Sequence, residues 1–355
     1  MDPIKLSELG AARTSRRSFV AGASALLASA VASCRGGSPR QAPQGGRPEM
    51  AATEQHPNGD APGPVAAQPP SPAPYRAVYR PFSAELPPAE PGRVKRQHFV
   101  VRDVNFAITP SLVVPAWTFN GQLPAPVLHV RQGDTVEVTL SNEGQVAHSI
   151  DFHAARIDPR TAFRSIAPGQ STSFTYRPQY AGAFLYHCGT APVLMHIGMG
   201  MFGAIVVDPP TPLPPAREFI LIQNEFYVGR DPGGRLMLDL NKMLSALPDE
   251  VAFNSHPFQY QTAPLQARRG ERLRFYVVDA GPTQDCAFHI VGEQFDTVYL
   301  GSPPGNTIRG VQTFLVAAGG GMVFELMADV PGDFVFVNHK FGHGQKGAIG
   351  VLHVE

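Results

Sequence analysis

The chain has 355 residues, a formal net charge of zero and only 16% charged residues. This length suits two ordinary domains, and the sparse, balanced charge argues against nucleic acid or an anionic membrane surface as the main partner. Gly and Pro are abundant, with 35 and 36 residues. Short β-branched and aromatic runs separated by turn residues therefore predict an all-β fold.

Residues 1–34 predict an export signal. Ser15-Arg16-Arg17-Ser18-Phe19 has the twin-arginine pattern, and the apolar stretch after it, which ends near Val31, is too short to span a bilayer comfortably. Val31-Ala32-Ser33-Cys34 resembles a lipoprotein cleavage box, which would make Cys34 a lipidated N-terminus. Ordinary cleavage nearby is the alternative. We expect export by the twin-arginine pathway to the periplasm or to a lipid anchor at the cell envelope.

Residues 35–95 are rich in Pro, Ala, Gln, Gly and Ser and lack apolar periodicity, so they predict a disordered linker. The sequence beyond the linker repeats itself. The strand-turn-strand pattern around Gly133 returns around Gly270, and Tyr186-His187-Cys188 aligns with Asn338-His339-Lys340. The repeat predicts two tandem Greek-key β-sandwich domains, residues 96–210 and 216–355, that meet at a Pro-rich junction.

One set of residues predicts a blue-copper centre. Cys188, His196 and Met201 lie within fourteen residues on one loop, and His148 comes from a distant strand. A thiolate, two imidazoles and a weak axial thioether suit copper that cycles between Cu(I) and Cu(II). Other methionines lie nearby, but Met201 is the preferred axial ligand because its Gly-Met-Phe-Gly context leads directly into the next strand.

A second group is expected on the opposite side of the same strands. Because side chains alternate along a strand, Asp151, His153 and His187 should face away from the first set. The second repeat has lost the first ligand set but keeps two histidines of this group, His289 and His339. We therefore expect these residues to converge where the two domain types meet. Three histidines with an open position would hold a catalytic metal, and the remaining groups would move protons.

These motifs resemble those of the copper-containing nitrite reductases, which are two-domain cupredoxin enzymes. The resemblance runs from about Gln97 to Glu355. It is most specific in His148-x-x-Asp151-x-His153, Tyr186-His187-Cys188, Gly200-Met201-x-Gly203-Ala204, Phe288-His289-Ile290-Val291-Gly292 and Val337-Asn338-His339.

Carried over position by position, the resemblance implies two copper sites in each chain. It implies a homotrimer with the second site between subunits, nitrite as substrate, and an external electron donor such as a small cupredoxin or a cytochrome c. Asp151 and His289 match the active-site acid/base pair, and Val291 matches the side chain that crowds the substrate. The implied ligands are His148, Cys188, His196 and Met201 for a type 1 copper, and His153, His187 and His339 for a type 2 copper.

Two other functions fit parts of the sequence. A laccase-like multicopper oxidase would reduce oxygen on a three-copper cluster built from His-x-His motifs, and the chain contains no His-x-His. A tethered, non-enzymatic copper electron-transfer lipoprotein would need only the first ligand set. His339 distinguishes the enzyme from the carrier, since a carrier has no use for a third histidine matched to His153 and His187.

Overall fold

The computed structural model describes residues 77–355. The predicted signal, Cys34 and most of the predicted linker lie outside the described residues. No helix in the described part of the chain has the length and apolar character needed to cross a membrane.

Within residues 77–355 the chain is built almost entirely of strands, with five short helices, so the all-β prediction is confirmed. The strands of the first half are β1 (Val94–Ala107), β2 (Val113–Phe119), β3 (Leu128–Arg131), β4 (Thr135–Asn142), β5 (Asp151–Phe152), β6 (Ser171–Tyr176), β7 (Gly182–His187) and β8 (Phe202–Asp208). The strands of the second half are β9 (Arg217–Phe226), β10 (Val228–Arg230), β11 (Leu236–Leu238), β12 (Glu250–Phe253), β13 (Leu265–Ala267), β14 (Arg272–Gly281), β15 (Cys286–Ile290), β16 (Thr297–Tyr299), β17 (Thr307–Ile308), β18 (Thr313–Val316), β19 (Gly321–Met327), β20 (Gly332–Asn338) and β21 (Ile349–Val354). The helices are α1 (Pro159–Ala162), α2 (Val193–Gly198), α3 (Leu240–Leu244), α4 (Gln259–Thr262) and α5 (Phe341–Gln345).

The two halves repeat one topology. The first has sheets ordered β2-β1-β4-β6 and β3-β8-β7-β5, and the second has β12-β9-β14-β19-β16-β17 and β13-β21-β20-β15-β18. In each half the first long strand runs parallel to a later one, β1 with β4 and β9 with β14. The internal duplication read from the sequence is therefore present in the strand order, and β7 of the first half corresponds to β20 of the second.

Three apolar cores hold these sheets. One lies inside each sandwich, and strand β4 shows why it forms: buried and half-buried residues alternate strictly along its length. The third core joins the halves and combines Leu185 and Val206 with Ile220, Ile222 and Val278. Strand β9 is therefore covered on both faces, which explains why eight of its ten residues are buried without alternation.

Residues 84–86, which lie within the predicted disordered linker, are ordered in the structure. Strand β12 pairs with β9 only from Gln223 to Phe226, so the start of β9 has a free edge. Residues 84–86 add to that edge through Ile220 N–H to Ala84 O (2.7 Å) and Leu86 N–H to Glu218 O (3.1 Å). Ala84 is buried. These hydrogen bonds to β9 order the Pro-rich segment. Its prolines have no N–H to donate, and they are tolerated here because a sheet edge does not require a strand hydrogen bond from every residue.

The half-buried His129 holds the same segment to the first half. His129 on β3 contacts Pro87 O through Nδ1 (2.7 Å) and the Asp208 carboxylate through Nε2 (2.9 Å). Both partners are acceptors, so the ring must donate from both nitrogens and is protonated in this arrangement. Burial alone would lower the pKa of His129, but the hydrogen bond and charge of Asp208, with Pro87 O and Glu218, raise it above 6.5.

This contact predicts a pH-dependent stability. A raised folded-state pKa stabilises the protein fully below the unfolded value of 6.5 and loses that contribution as pH rises through the folded pKa. We expect the free energy of unfolding, measured by urea titration, to fall over that range in the parent protein and to be flatter in His129→Gln. The exposed His98→Gln is the matched control. Identical pH profiles for the parent and His129→Gln would contradict the role of this histidine.

A glycine opposite a core tyrosine gives a second stability prediction. Gly203 on β8 pairs with Tyr186 on β7, and a Cβ at Gly203 would fall on the buried Tyr186 ring. Gly203→Ala should lower the free energy of unfolding by about 1–3 kcal/mol, the usual cost of overpacking a core. Gly342→Ala, where a Cβ meets no atom within 4 Å, should stay close to the parent in thermal unfolding. Equal melting temperatures for both variants would disprove the clash.

Candidate metal centres

Strand β7 ends in two adjacent residues with different surroundings. His187 is its last residue, and Cys188 follows with its N–H bonded to Met201 O (3.0 Å), so the extended pairing with the β8 side continues. Consecutive side chains of an extended chain point to opposite sides. His187 and Cys188 accordingly belong to two separate groups of ligand-type side chains.

The first group, called here the thiol cluster, contains His148, Cys188 and His196. Their ligand atoms lie within 4.8 Å of one another, and all three residues are buried. The Cys188 Sγ lies 3.9 Å from His148 Nδ1, and the two imidazole centroids are 5.1 Å apart. The strand-parity argument placed His148 and Cys188 on one side, and the structure brings them together there.

Backbone contacts hold each member of the thiol cluster. His148 pairs with Ile166 in an isolated bridge, and His196 lies on α2. Met201 is buried beside Cys188 in the same core, and its N–H donates to His196 O (3.2 Å). The loop from Cys188 to Met201 therefore closes on itself, which places the thiol, the imidazole and the thioether on one short, rigid segment.

The thiol cluster suits a soft metal. Burial, and then the charge of His196, lowers the pKa of His148 to about 3, and burial also lowers the pKa of His196. Both imidazoles are therefore neutral and offer lone pairs. His148 Nε2 is buried with no hydrogen-bond partner among the described residues. Sulfur and nitrogen ligands in an apolar pocket fit copper and exclude magnesium or calcium, which prefer oxygen.

The second group, called here the open cluster, contains Asp151, His153 and His187. Asp151 on β5 pairs directly with His187 on β7, and the ligand atoms of all three residues lie within 4.8 Å. His187 is buried, Asp151 is half-buried and His153 is exposed. This group lies on the side that the sequence pattern assigned to it and, unlike the thiol cluster, it can be reached from solvent.

The imidazoles of the open cluster meet at their Nε2 atoms. The His153 Nδ1 donates to Gly319 O (2.9 Å), and the His187 Nδ1 donates to Cys188 O (3.0 Å), because carbonyl oxygens only accept. The two Nε2 atoms are 3.0 Å apart. The outer carbonyls hold both rings in orientation, and the facing Nε2 atoms are close enough to bind the same cation.

His289 and His339 form a separate pair on the second sandwich. Their ring centroids are 5.2 Å apart, and His289 Nδ1 donates to Gln312 O (2.6 Å). Among residues 77–355 neither histidine belongs to the open cluster. One chain by itself therefore does not bring His339 to His153 and His187. The pair is accessible. The exposed Phe341 packs against the His339 ring, with centroids 4.5 Å apart, and two more exposed apolar residues are Val291, directly after β15, and Leu315 on β18.

The sequence and the fold are similar to those of known copper proteins. The multicopper oxidase family model matches residues 101–212. A copper-containing nitrite reductase of Neisseria meningitidis is 40% identical over 248 residues, which are 67% of this chain and 64% of that protein. A solved copper nitrite reductase from Nitrosomonas europaea is 36% identical, with a TM-score of 0.68 over 74% of this chain and 94% of that one. The chain belongs to the copper-containing nitrite reductase family.

A second solved member of the family, from Thermus scotoductus, is 30% identical with a TM-score of 0.67 and covers 74% of this chain and 62% of that one. Membership confirms the predicted cupredoxin-like fold and copper as the cofactor. The assignment of individual ligands to two kinds of copper stays a prediction. The chain spans about two thirds of the length of the Neisseria relative.

Sequence reasoning missed residues that contact the ligands. Trp117 packs against the rings of both His148 and His196, with centroid distances of 5.2 and 4.8 Å. Ser149 donates its N–H to the Cys188 Sγ (3.3 Å). Trp117 is the only tryptophan of the chain, which is a weak signal in a sequence. Ser149 gave no signal beyond its position next to His148.

Proposed function

We propose that this protein reduces nitrite to nitric oxide, NO₂⁻ + e⁻ + 2 H⁺ → NO + H₂O. The observation that carries the proposal is the division of His187 and Cys188 between two ligand groups. The peptide bond between them is a direct covalent connection from a buried thiol cluster to an accessible open cluster. Such a connection suits an enzyme that accepts an electron at one metal and uses it at another.

The thiol cluster would hold a type 1 copper on His148, Cys188 and His196, with Met201 as the axial ligand. Its burial supports this assignment, because an apolar surrounding and a thiolate are the features that tune blue-copper electron-transfer sites. The open cluster would hold a type 2 copper on His153 and His187. Copper bound at the two sites would supply one-electron reduction and an open position for nitrite.

His339 would complete the second site from a neighbouring subunit of a homotrimer. The support is its exposed position, its separation from the open cluster within one chain, and the exposed Phe341 that packs against its ring. Apolar groups around exposed histidines are unusual on a free surface and typical of an interface. A cyclic trimer would place one such surface against each open cluster.

Asp151 and His289 are the residues we propose for proton delivery. Asp151 lies in the open cluster and is partly accessible, so it can exchange protons with solvent and hand them to bound substrate. The bond from His289 Nδ1 to Gln312 O holds its ring so that Nε2 is the atom left to exchange a proton. With His339 next to it, His289 would arrive at the same site from the neighbouring subunit, where Val291 would crowd the substrate.

We further propose that twin-arginine export delivers the protein to the periplasm or to a lipid anchor through Cys34. Nitrite would be reduced there with electrons from an external donor such as a small cupredoxin or a cytochrome c.

The overall test has three measurements. They are the copper content per chain, the electron paramagnetic resonance spectrum with and without nitrite, and the release of nitric oxide. Two coppers per chain with a nitrite-sensitive signal are expected. A single nitrite-insensitive copper would indicate an electron carrier instead.

His339→Ala should abolish nitrite reduction and leave the copper-thiolate absorption band intact. Loss of a ligand should lower activity by more than about 100-fold, since even outer-shell partners of metal sites cost 10–100-fold. His353→Ala, on an exposed position of β21, is the matched control and should keep activity. Retained nitric oxide production in His339→Ala would remove His339 from the site.

Mixed subunits test whether the site is shared. His153→Ala and His339→Ala should each be inactive alone, but co-expressed chains should form interfaces with His153 from one subunit and His339 from the next. Random mixing at equal amounts restores about a quarter of the sites. Separately purified variants mixed without subunit exchange provide the baseline. No recovery in co-expressed trimers would place the whole site within one chain.

Asp151→Asn tests proton delivery. The amide keeps the size of the side chain but cannot donate a proton, so kcat should fall by about 10²–10⁴-fold, the usual contribution of general acid catalysis. Copper content and the absorption band should match the parent protein, because no proposed ligand is changed. A variant with normal turnover would show that protons reach nitrite by another route.

A further inference from the structure

The turn between β18 and β19 connects the second half of the chain to the open cluster. Gly319 in this turn accepts the proton of His153 Nδ1 through its carbonyl oxygen (2.9 Å), although the two residues are 166 positions apart. Directly after the turn the chain runs against β7, since a Cβ on Gly321 would collide with Ala183 O. The orientation of a first-half histidine therefore depends on where a second-half turn places one carbonyl group.

The turn is held by backbone hydrogen bonds and by one carboxylate. Gly319 N–H donates to Asp279 O (2.8 Å), and Asp279 N–H donates to Gly320 O (3.0 Å), which attaches the turn to β14. Ala318 N–H donates instead to a side-chain oxygen of Asp285 (2.9 Å). The Asp285 carboxylate therefore holds the turn at the residue that immediately precedes Gly319.

Asp285 can be changed without opening the core. It lies directly before β15, and its side chain is 41% exposed, with one carboxylate oxygen 3.9 Å from Lys340 Nζ. Ala318 is also exposed, so water can accept its N–H when the carboxylate is removed. Loss of the Asp285 side chain should therefore loosen the turn and leave the fold intact.

We propose that Asp285 is a positioning residue for the metal of the open cluster, an inference that rests on the proposed function. Its carboxylate holds the turn, the Gly319 carbonyl orients the His153 ring, and the ring presents Nε2 to the metal. Partners that hydrogen-bond a metal-bound histidine fix its orientation, and their loss costs about 10–100-fold in metal affinity. Asp285 acts one residue further from the ring, so its contribution is smaller.

Asp285→Ala tests this contact in the copper-loaded full chain. The affinity for copper at the open cluster, measured by competition with a chelator, should fall about threefold to tenfold, below the cost of losing a direct partner of the histidine. The type 2 electron paramagnetic resonance signal should change, whereas the copper-thiolate band should not. Asp285→Asn keeps an oxygen that accepts the Ala318 N–H and should restore the parent affinity.

Asp249→Ala is the matched control. The Asp249 side chain is 36% exposed and accepts the N–H of Val228 on β10 (2.6 Å), so it makes the same kind of contact at a different backbone segment. Its removal should leave the affinity for copper at the open cluster equal to that of the parent protein.

Two results would overturn the inference and leave the proposed function standing. One is the parent affinity in Asp285→Ala, and the other is an affinity in Asp285→Asn as low as that of the alanine variant. A parent protein that binds only one copper per chain would overturn the proposed function together with this inference. If Asp285→Ala does not fold, Asp285→Ser provides the same comparison with a shorter side chain, and an unchanged affinity there would also overturn the inference.

Discussion

The alternation of side chains at the end of β7 is the constraint on which both groups of ligand-type side chains depend. His187 and Cys188 are joined by one peptide bond, yet each contributes to a different group because an extended backbone sends consecutive side chains to opposite sides. The pairing of β5 with β7 sets Asp151 opposite His187, and the bond from Cys188 N–H to Met201 O keeps the chain extended beyond the strand. A change in register of one residue would exchange the two side chains.

The two groups differ in their surroundings, and this difference decides what each can do. The thiol cluster lies inside the core of the first sandwich, where burial lowers the pKa of His148 to about 3 and keeps its imidazole neutral. The open cluster has an exposed histidine and a partly accessible carboxylate. The geometry of a buried, rigid site changes little when the charge of a bound metal changes, and this suits electron transfer. An accessible site whose imidazole tautomers are fixed suits substrate binding.

Duplication of one sandwich explains the arrangement of the second half. The strand order repeats, so His289 and His339 occupy positions on β15 and after β20 that correspond to His153 and His187. Lys340 stands in the second half where the first has Cys188, so the thiol cluster is not repeated there. The third apolar core and the segment at residues 84–86 bind the two halves firmly to each other. The histidine pair is consequently held on the second sandwich, outside the open cluster of the same chain.

The sequence by itself determined the fold class, the repeat and the division of the ligand-type side chains between two faces. Strand periodicity, turn residues and the spacing of Cys188, His196 and Met201 are local properties, so they can be read from the chain in order. Tertiary structure alone decided that His153 and His187 bring their Nε2 atoms together and that Ser149 and Trp117 contact the thiol cluster. It also decided that residues 84–86 form hydrogen bonds with the edge of β9. The partners in these contacts are between 31 and 136 positions apart in the sequence. No local pattern encodes which distant partner a buried polar group or a free strand edge will find.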